Sequence, residues 1–194
     1  LGEVSGRARD RVVATGEKLA VRLLARALRE RGVDAVAVDA DTCLDTDARF
    51  GEAEPLGAVA DRSLRAKLQP LLAAGVVPVV TGFVGRAPDG ATTTLGRGGS
   101  DYTATLLAAG LAAAEVTIWT DVPGVFSADP RAVPEARVIP QLHYREAAEL
   151  SYYGAKVLHQ RTMIPVASLK IPVWTRSTLE PELPGTVVDG RFTP

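Results

Sequence analysis

The residues best suited to chemistry lie in a glycine-rich loop at 92–103, with the sequence TTTLGRGGSDYT. Three glycines surround Arg97, and a helix is predicted to begin at Ser100 and Asp101. Glycine lets a backbone approach a ligand closely, and a helix start offers free N–H groups and a positive dipole end to an anion. Arg97 adds a planar fork that suits a carboxylate or a phosphate. The loop therefore indicates an anion site, although a plain strand–turn–helix connection with a solvent-facing arginine is the alternative.

The loop differs from two common phosphate-binding patterns. Asp101 stands where G-x-G-x-x-G has its last glycine, and no Lys-Ser or Lys-Thr pair follows the glycines as a P-loop requires. Dinucleotide dehydrogenases and P-loop NTPases therefore lose their main support.

A second segment, WTDVPGVFSADPR at 119–131, directly follows a predicted strand. In open α/β sheets, ligands bind beyond the carboxyl ends of strands, so this segment is well placed for a site. Thr120 and Asp121 can hydrogen-bond a nucleotide, Phe126 can pack on its base, and Arg131 can neutralise phosphate. The alternative is a turn-rich loop with a structural role only.

A third segment, GAKVLH at 154–159, is predicted to open a helix with Lys156 in its first turn. A cation there opposes the helix dipole. A local conflict of this kind is typical of functional sites, for example where an anion binds the same helix start. The alternative is an exposed lysine. Neither His143 nor His159 has the spacing of a metal ligand set, so both are interpreted as packing or surface residues.

The length, composition and charge of the chain limit the classes of protein to which it can belong. The chain has 194 residues, 46% of them apolar and 23% charged, with a formal net charge of −1, which is ordinary for a single globular domain. The near-zero charge gives no general attraction to nucleic acid or to a membrane surface. Cys43 is the one cysteine, so no internal disulfide can form, and we expect a cytoplasmic protein.

The elements that position these motifs alternate between helix and strand. Helices are predicted at 11–31, 56–74, 100–114, 144–150 and 155–167; strands at 33–38, 76–80, 116–120, 171–174 and 186–188; and a hairpin-like excursion at 83–95. This alternation predicts an α/β sandwich around a largely parallel sheet.

The motifs, in this order and spacing, resemble those of the catalytic domain of aspartokinases, within the amino acid kinase superfamily. The matching segments are 15–17, 49–51, 92–103, 119–131 and 154–159, and the similarity covers roughly residues 15–188. The resemblance implies a three-layer α/β/α sandwich with a mainly parallel sheet, and one kinase domain over residues 1–190 with a tail at 191–194. It also implies ATP-dependent phosphorylation of L-aspartate to 4-phospho-L-aspartate, the entry to lysine, threonine and methionine synthesis.

The resemblance further implies a role for each matching residue. It assigns aspartate binding to Glu17, Arg97, Gly98, Gly99 and Ser100, catalysis to Arg97, Asp101 and Lys156, and ATP binding to Thr120, Asp121, Phe126, Arg131, Lys156 and Val157. Family members usually carry tyrosine at the position of Phe126. Mg²⁺ is expected to be carried by the ATP phosphates rather than by a protein cage. A homo-oligomer is expected, with no nucleic acid or membrane partner.

The chain departs from the family in two places. The Lys-Phe-Gly-Gly-Thr/Ser loop, whose lysine contacts the transferring phosphate, has no match, and neither have the paired regulatory domains. We therefore expect an N-terminally truncated domain with negligible turnover by itself. Two other functions stay open: a non-catalytic remnant that binds nucleotide or amino acid, and a different amino acid kinase.

Overall fold

The computed structural model describes residues 4–152 and 159–191. The chain divides into two compact units, residues 1–103 and residues 104–194. Within the described residues, no helix is both long and apolar enough to span a membrane.

The first unit is mixed α/β and carries the glycine-rich loop. Its elements are α1 (Gly6–Glu30), β1 (Ala35–Val38), α2 (Ala58–Ala73), β2 (Val77–Val80), β3 (Val84–Arg86) and β4 (Thr92–Thr94), followed by the start of α3 (Gly99–Leu111). Strands β1 and β2 pair in parallel, whereas β3 and β4 form an antiparallel hairpin. The loop at 95–98 therefore connects a hairpin strand to a helix.

Helix α1 lies against both strand pairs of this unit. Ser5 caps its start, because the Ser5 side chain accepts a hydrogen bond from the Ala8 N–H at 3.3 Å. Its buried positions include Ala14, Val21 and Ala25, which recur at helical spacing and define the face turned to the core. Glu17 follows the buried Ala14 by three residues, so the two lie at neighbouring positions on the surface of this helix.

The second unit is built on a four-stranded sheet with the order β5-β7-β8-β6. Its elements are β5 (Val116–Thr120), β6 (Gln141–His143), α4 (Tyr144–Tyr152), α5 (Gln160–Ala167), β7 (Val173–Ser177) and β8 (Thr186–Asp189). The β5–β7 and β6–β8 pairs are parallel, and the β7–β8 pair is antiparallel. Apolar side chains of the sheet, such as Ile118 and Val173, pack with Met163 and Val166 of α5 in one buried core.

Most predicted elements are confirmed, including the parallel pairs and the hairpin, which turns through Pro88 and Asp89. Strand β6 was not predicted, because its three residues, Gln-Leu-His, include one apolar and no β-branched side chain. Helix α5 was predicted from residue 155 but begins at Gln160, with His159 as its N-cap. Residues 155–158 of the predicted helix, Lys156 among them, lie outside the described residues, so the predicted placement of Lys156 stays a prediction.

Cys43 is buried and is not part of a disulfide. Burial raises the pKa of the Cys43 thiol. A buried thiol with a raised pKa is a poor nucleophile, so Cys43 belongs to the core.

Candidate active site

A cavity of about 330 Å³ lies beside the start of α3 in the first unit. It is lined by Glu17, Phe83, Gly96, Gly98, Gly99, Ser100 and Asp101. Five residues predicted for the site therefore come together here, namely Glu17, Gly98, Gly99, Ser100 and Asp101. The volume is at the low end for ligand pockets, which suits a small molecule.

The backbone of the glycine loop shapes one side of this cavity. Gly96 and Gly98 have φ values of +76° and +68°, which residues other than glycine rarely adopt. Within the described residues, the backbone N–H groups of Ser100 and Asp101 make no hydrogen bond. These free donors at the helix start can receive an anionic group.

Two carboxylates, Glu17 and Asp101, lie on the same cavity. Both are half-buried, and Glu17 has no hydrogen-bond or ion-pair partner among the described residues. Burial raises the pKa of Asp101. The cavity thus offers a carboxylate to a cation and a helix start to an anion, which complements a small zwitterion.

Arg97 is exposed, and it is not among the residues that line the cavity. Its guanidinium makes no hydrogen bond or ion pair within the described part of the chain. The side chain is therefore available to a ligand, and its predicted grip on a carboxylate stays a prediction.

Asp10 fixes the position of the strand end that leads into the glycine-rich loop. The sequence analysis did not identify this residue. The buried Oδ2 atom of Asp10 accepts hydrogen bonds from the backbone N–H groups of Thr94 and Gly51, each at 2.8 Å. Asp10 is a lone acid between arginines, four residues before the buried Ala14. That spacing places it on the buried face of α1 and was a signal that could have identified it.

The predicted nucleotide residues Thr120, Asp121, Phe126 and Arg131 all lie in the second unit, on or just after β5. Thr120 Oγ1 donates to Asp121 Oδ1 at 3.1 Å, and both side chains are accessible. Phe126 is half-buried, whereas Arg131 is exposed. Lys156 and Val157 lie outside the described residues, so their predicted roles stay predictions.

The middle of the segment at 119–131 is hydrogen-bonded to the first residue of β8. The Val125 N–H donates to Thr186 Oγ1 at 2.9 Å, and that hydroxyl donates to the Ile139 carbonyl at 2.6 Å. A Cβ added to Gly124 would lie 2.6 Å from Thr186 Oγ1, so only glycine allows this approach. These contacts fix the position of the loop after β5 against β8 of the four-stranded sheet.

Among the described residues, no group of three or more His, Cys, Asp and Glu side chains could hold a metal ion.

We expect Asp101→Asn to change how stability depends on pH. Because burial raises the Asp101 pKa in the folded state, the folded protein holds this proton more tightly than the unfolded chain. Stability from this group is full below its ordinary pKa and is lost as pH rises through the raised value. Relative to wild type, the asparagine variant should therefore gain stability as pH rises from about 3.5 to 7.

Melting curves of both proteins across that pH range provide the measurement. Asp61→Asn, in the first turn of α2, is a matched control for loss of a helix-start carboxylate. Parallel Tm profiles for wild type and Asp101→Asn would show that Asp101 titrates alike in the folded and unfolded chains.

The comparisons with known proteins place this geometry in a family. The model of the amino acid kinase family matches residues 3–177, and the chain belongs to that family. Lysine-sensitive aspartokinase 3 of Escherichia coli is 45% identical over 179 residues, which are 92% of this chain and 40% of that protein. Aspartokinase of Schizosaccharomyces pombe is 41% identical over 194 residues, covering 97% and 36% of the two chains.

A solved structure agrees with these relatives. Escherichia coli aspartokinase III in complex with aspartate and ADP superposes with a TM-score of 0.94 at 43% identity, covering 98% of this chain and 42% of that one. The α/β fold of the amino acid kinase type is thereby confirmed. This chain spans about 40% of the length of these relatives.

Proposed function

We propose that this chain forms the acceptor and nucleotide sites of an aspartokinase, which phosphorylates L-aspartate with ATP to 4-phospho-L-aspartate. The observation that carries the proposal is the cavity that brings Glu17 and residues 98–101 together. Its carboxylate and helix start match the charges of an amino acid. We further propose residues 1–190 as a partial kinase domain, 191–194 as its tail, a cytoplasmic setting, and a role in lysine, threonine and methionine synthesis.

In this proposal, Glu17 receives the α-ammonium of aspartate, and residues 98–100 with Arg97 receive carboxylate oxygens. A side-chain carboxylate oxygen of aspartate attacks the γ-phosphorus of ATP. The bond from that phosphorus to the bridging oxygen breaks, and ADP leaves. Phosphoryl transfer depends on positioning and charge neutralisation. The guanidinium of Arg97, which has no partner among the described residues, supplies positive charge, and Asp101 organises the transfer region.

ATP is proposed to occupy the loop after β5, in contact with Thr120, Asp121, Phe126 and Arg131, and with Lys156 and Val157. The accessible Asp121 carboxylate is a hard oxygen donor, of the kind that Mg²⁺ accepts. Mg²⁺ on the ATP phosphates would neutralise charge on the triphosphate. A homo-oligomer is also proposed for the full-length protein, from the resemblance to aspartokinases.

One observation favours a second function, a binding module without turnover. No lysine or arginine lines the cavity within the described residues, so a phosphoryl group in transit has no cation on the cavity wall itself. Aspartate could then bind without being phosphorylated.

The test uses the protein with its complete natural reading frame, ATP, Mg²⁺ and L-aspartate, with hydroxylamine to trap the acyl phosphate. The proposal predicts aspartyl hydroxamate and ADP in equal amounts. Glutamyl hydroxamate with no aspartyl product would establish a different amino acid kinase. Aspartate binding without either product would establish the binding module.

Lys156→Ala is expected to weaken ATP binding by about ten- to a hundredfold, because hydrogen bonds to charged groups contribute about 1.5–3 kcal/mol. A lysine ammonium that meets ATP phosphates loses that contact in the variant. Nucleotide titration of wild type and variant measures the change in Kd.

Lys67→Ala, at an exposed position of α2, controls for loss of a surface charge. Equal ATP affinity of wild type and Lys156→Ala would show that Lys156 is a surface lysine without a role in the site.

A further inference from the structure

Phe83 supplies the aromatic surface of the cavity and has an unusual backbone conformation. Its φ is +65°, in the left-handed region. This conformation is unfavourable for an L-residue, because it brings the Cβ atom too close to the following carbonyl oxygen. Backbone strain of this kind persists only where the surrounding structure imposes it, and such positions cluster at functional sites.

The neighbouring backbone imposes the conformation. The Phe83 N–H donates to Thr103 Oγ1 at 3.0 Å, and the Phe83 carbonyl accepts from the Leu95 N–H at 2.9 Å. Thr103 Oγ1 in turn donates to the Gly99 carbonyl at 2.8 Å. Phe83 is thereby hydrogen-bonded both to the first turns of α3 and to Leu95, the residue before Gly96.

Two glycines let this segment lie directly on the helix start. A Cβ added to Gly99 would lie 2.7 Å from Cδ2 of Phe83, and one added to Gly82 would lie 2.9 Å from the Ser100 Cα. Real Cβ atoms do not come so close to other heavy atoms. Backbone atoms of the helix start therefore lie directly against one side of the Phe83 ring. The ring cannot move toward the helix, so it forms a fixed wall of the cavity.

Phe83 is the one aromatic residue among those that line the cavity in the described part of the chain. The other lining residues offer carboxylates, a hydroxyl and glycine backbone, so the ionic groups of an amino acid have partners elsewhere. The carbon chain between the ionic groups of the amino acid would then pack against the Phe83 ring. We infer that Phe83 determines acceptor specificity by limiting its length, admitting the four-carbon amino dicarboxylate and rejecting the five-carbon homologue. This inference rests on the proposed function.

The test compares L-aspartate with L-glutamate in the full-length protein and in its Phe83→Ala and Phe83→Gly variants. One methylene in a pocket typically changes kcat/KM by about 10–200-fold. Removal of the ring should therefore lower the aspartate-to-glutamate ratio of kcat/KM at least about tenfold, through a lower KM for glutamate. An unchanged ratio in both variants would overturn the inference.

The pair of variants separates the ring from the backbone. Glycine tolerates positive φ, so Phe83→Gly should melt at a higher temperature than Phe83→Ala, while both lose discrimination. Ala112→Gly is the control, because Ala112 is exposed with a φ of +53°. It should gain stability without a change in the ratio; an equal loss of discrimination there would overturn the inference.

Failure of the proposed function would be seen in the unsubstituted protein, as absence of aspartate phosphorylation. The inference itself fails only in the comparison between variants. Calorimetric Kd values for the two amino acids give that comparison without turnover, so a protein that binds but does not phosphorylate still decides it.

Discussion

Glu17→Gln is expected to lower kcat/KM for L-aspartate by about ten- to a hundredfold while leaving kcat/KM for succinate nearly unchanged. Glu17 lines the cavity, is half-buried, and has no partner among the described residues. Its carboxylate is therefore available to the α-ammonium, which succinate lacks. Glutamine keeps the shape of the side chain and removes its charge. Steady-state kinetics with both acceptors measure the preference.

Glu30→Gln is the matched control, since Glu30 lies on the same helix as an exposed ion-pair partner of Arg26. It should leave the preference unchanged. An equal loss of activity toward aspartate and succinate in Glu17→Gln would mean that Glu17 supports the fold or the phosphates instead.

Asp10→Ala is expected to lower the free energy of unfolding by about 2–5 kcal/mol. The buried Asp10 Oδ2 accepts the backbone N–H groups of Thr94 and Gly51, and both donors would be left unsatisfied. An unsatisfied buried donor costs about 1–3 kcal/mol, and the part-buried Gly51 N–H costs less than the buried Thr94 N–H. For a chain of this size the Tm should fall by roughly 5–15 °C, which thermal unfolding followed by circular dichroism measures.

Asp10→Asn provides the control for this change. Both hydrogen bonds fall on one oxygen, so the amide oxygen of asparagine can still accept them. The asparagine variant should therefore be clearly more stable than the alanine variant. Equal losses would show that the charge of Asp10, rather than its acceptor, stabilises the unit.

Local patterns were enough to predict much of the site. Glycines around Arg97, followed by a helix start, predicted an anion-binding loop, and the structure places that loop on a cavity. Period-3.6 and strand-length apolar runs predicted most helices and strands. These features depend on neighbours within a few residues in sequence, so they are visible without a structure.

The missed features depend on contacts between distant residues. The left-handed backbone of Phe83 comes from bonds to Leu95 and Thr103, and no local sequence pattern signals it. The role of Asp10 requires α1 to lie beside the end of β4. The assignment of Glu17 came from the family resemblance, because one glutamate within an amphipathic helix carries no signal by itself.

A crystal structure of the full-length protein with L-aspartate and ADP tests the central claim most directly. We expect aspartate in the cavity beside the start of α3, with its ammonium within hydrogen-bond distance of the Glu17 carboxylate. We also expect a carboxylate of aspartate on the backbone N–H groups of Ser100 and Asp101, which make no hydrogen bond in the described part of the chain. Aspartate bound elsewhere, with this cavity filled only by water, would contradict the account.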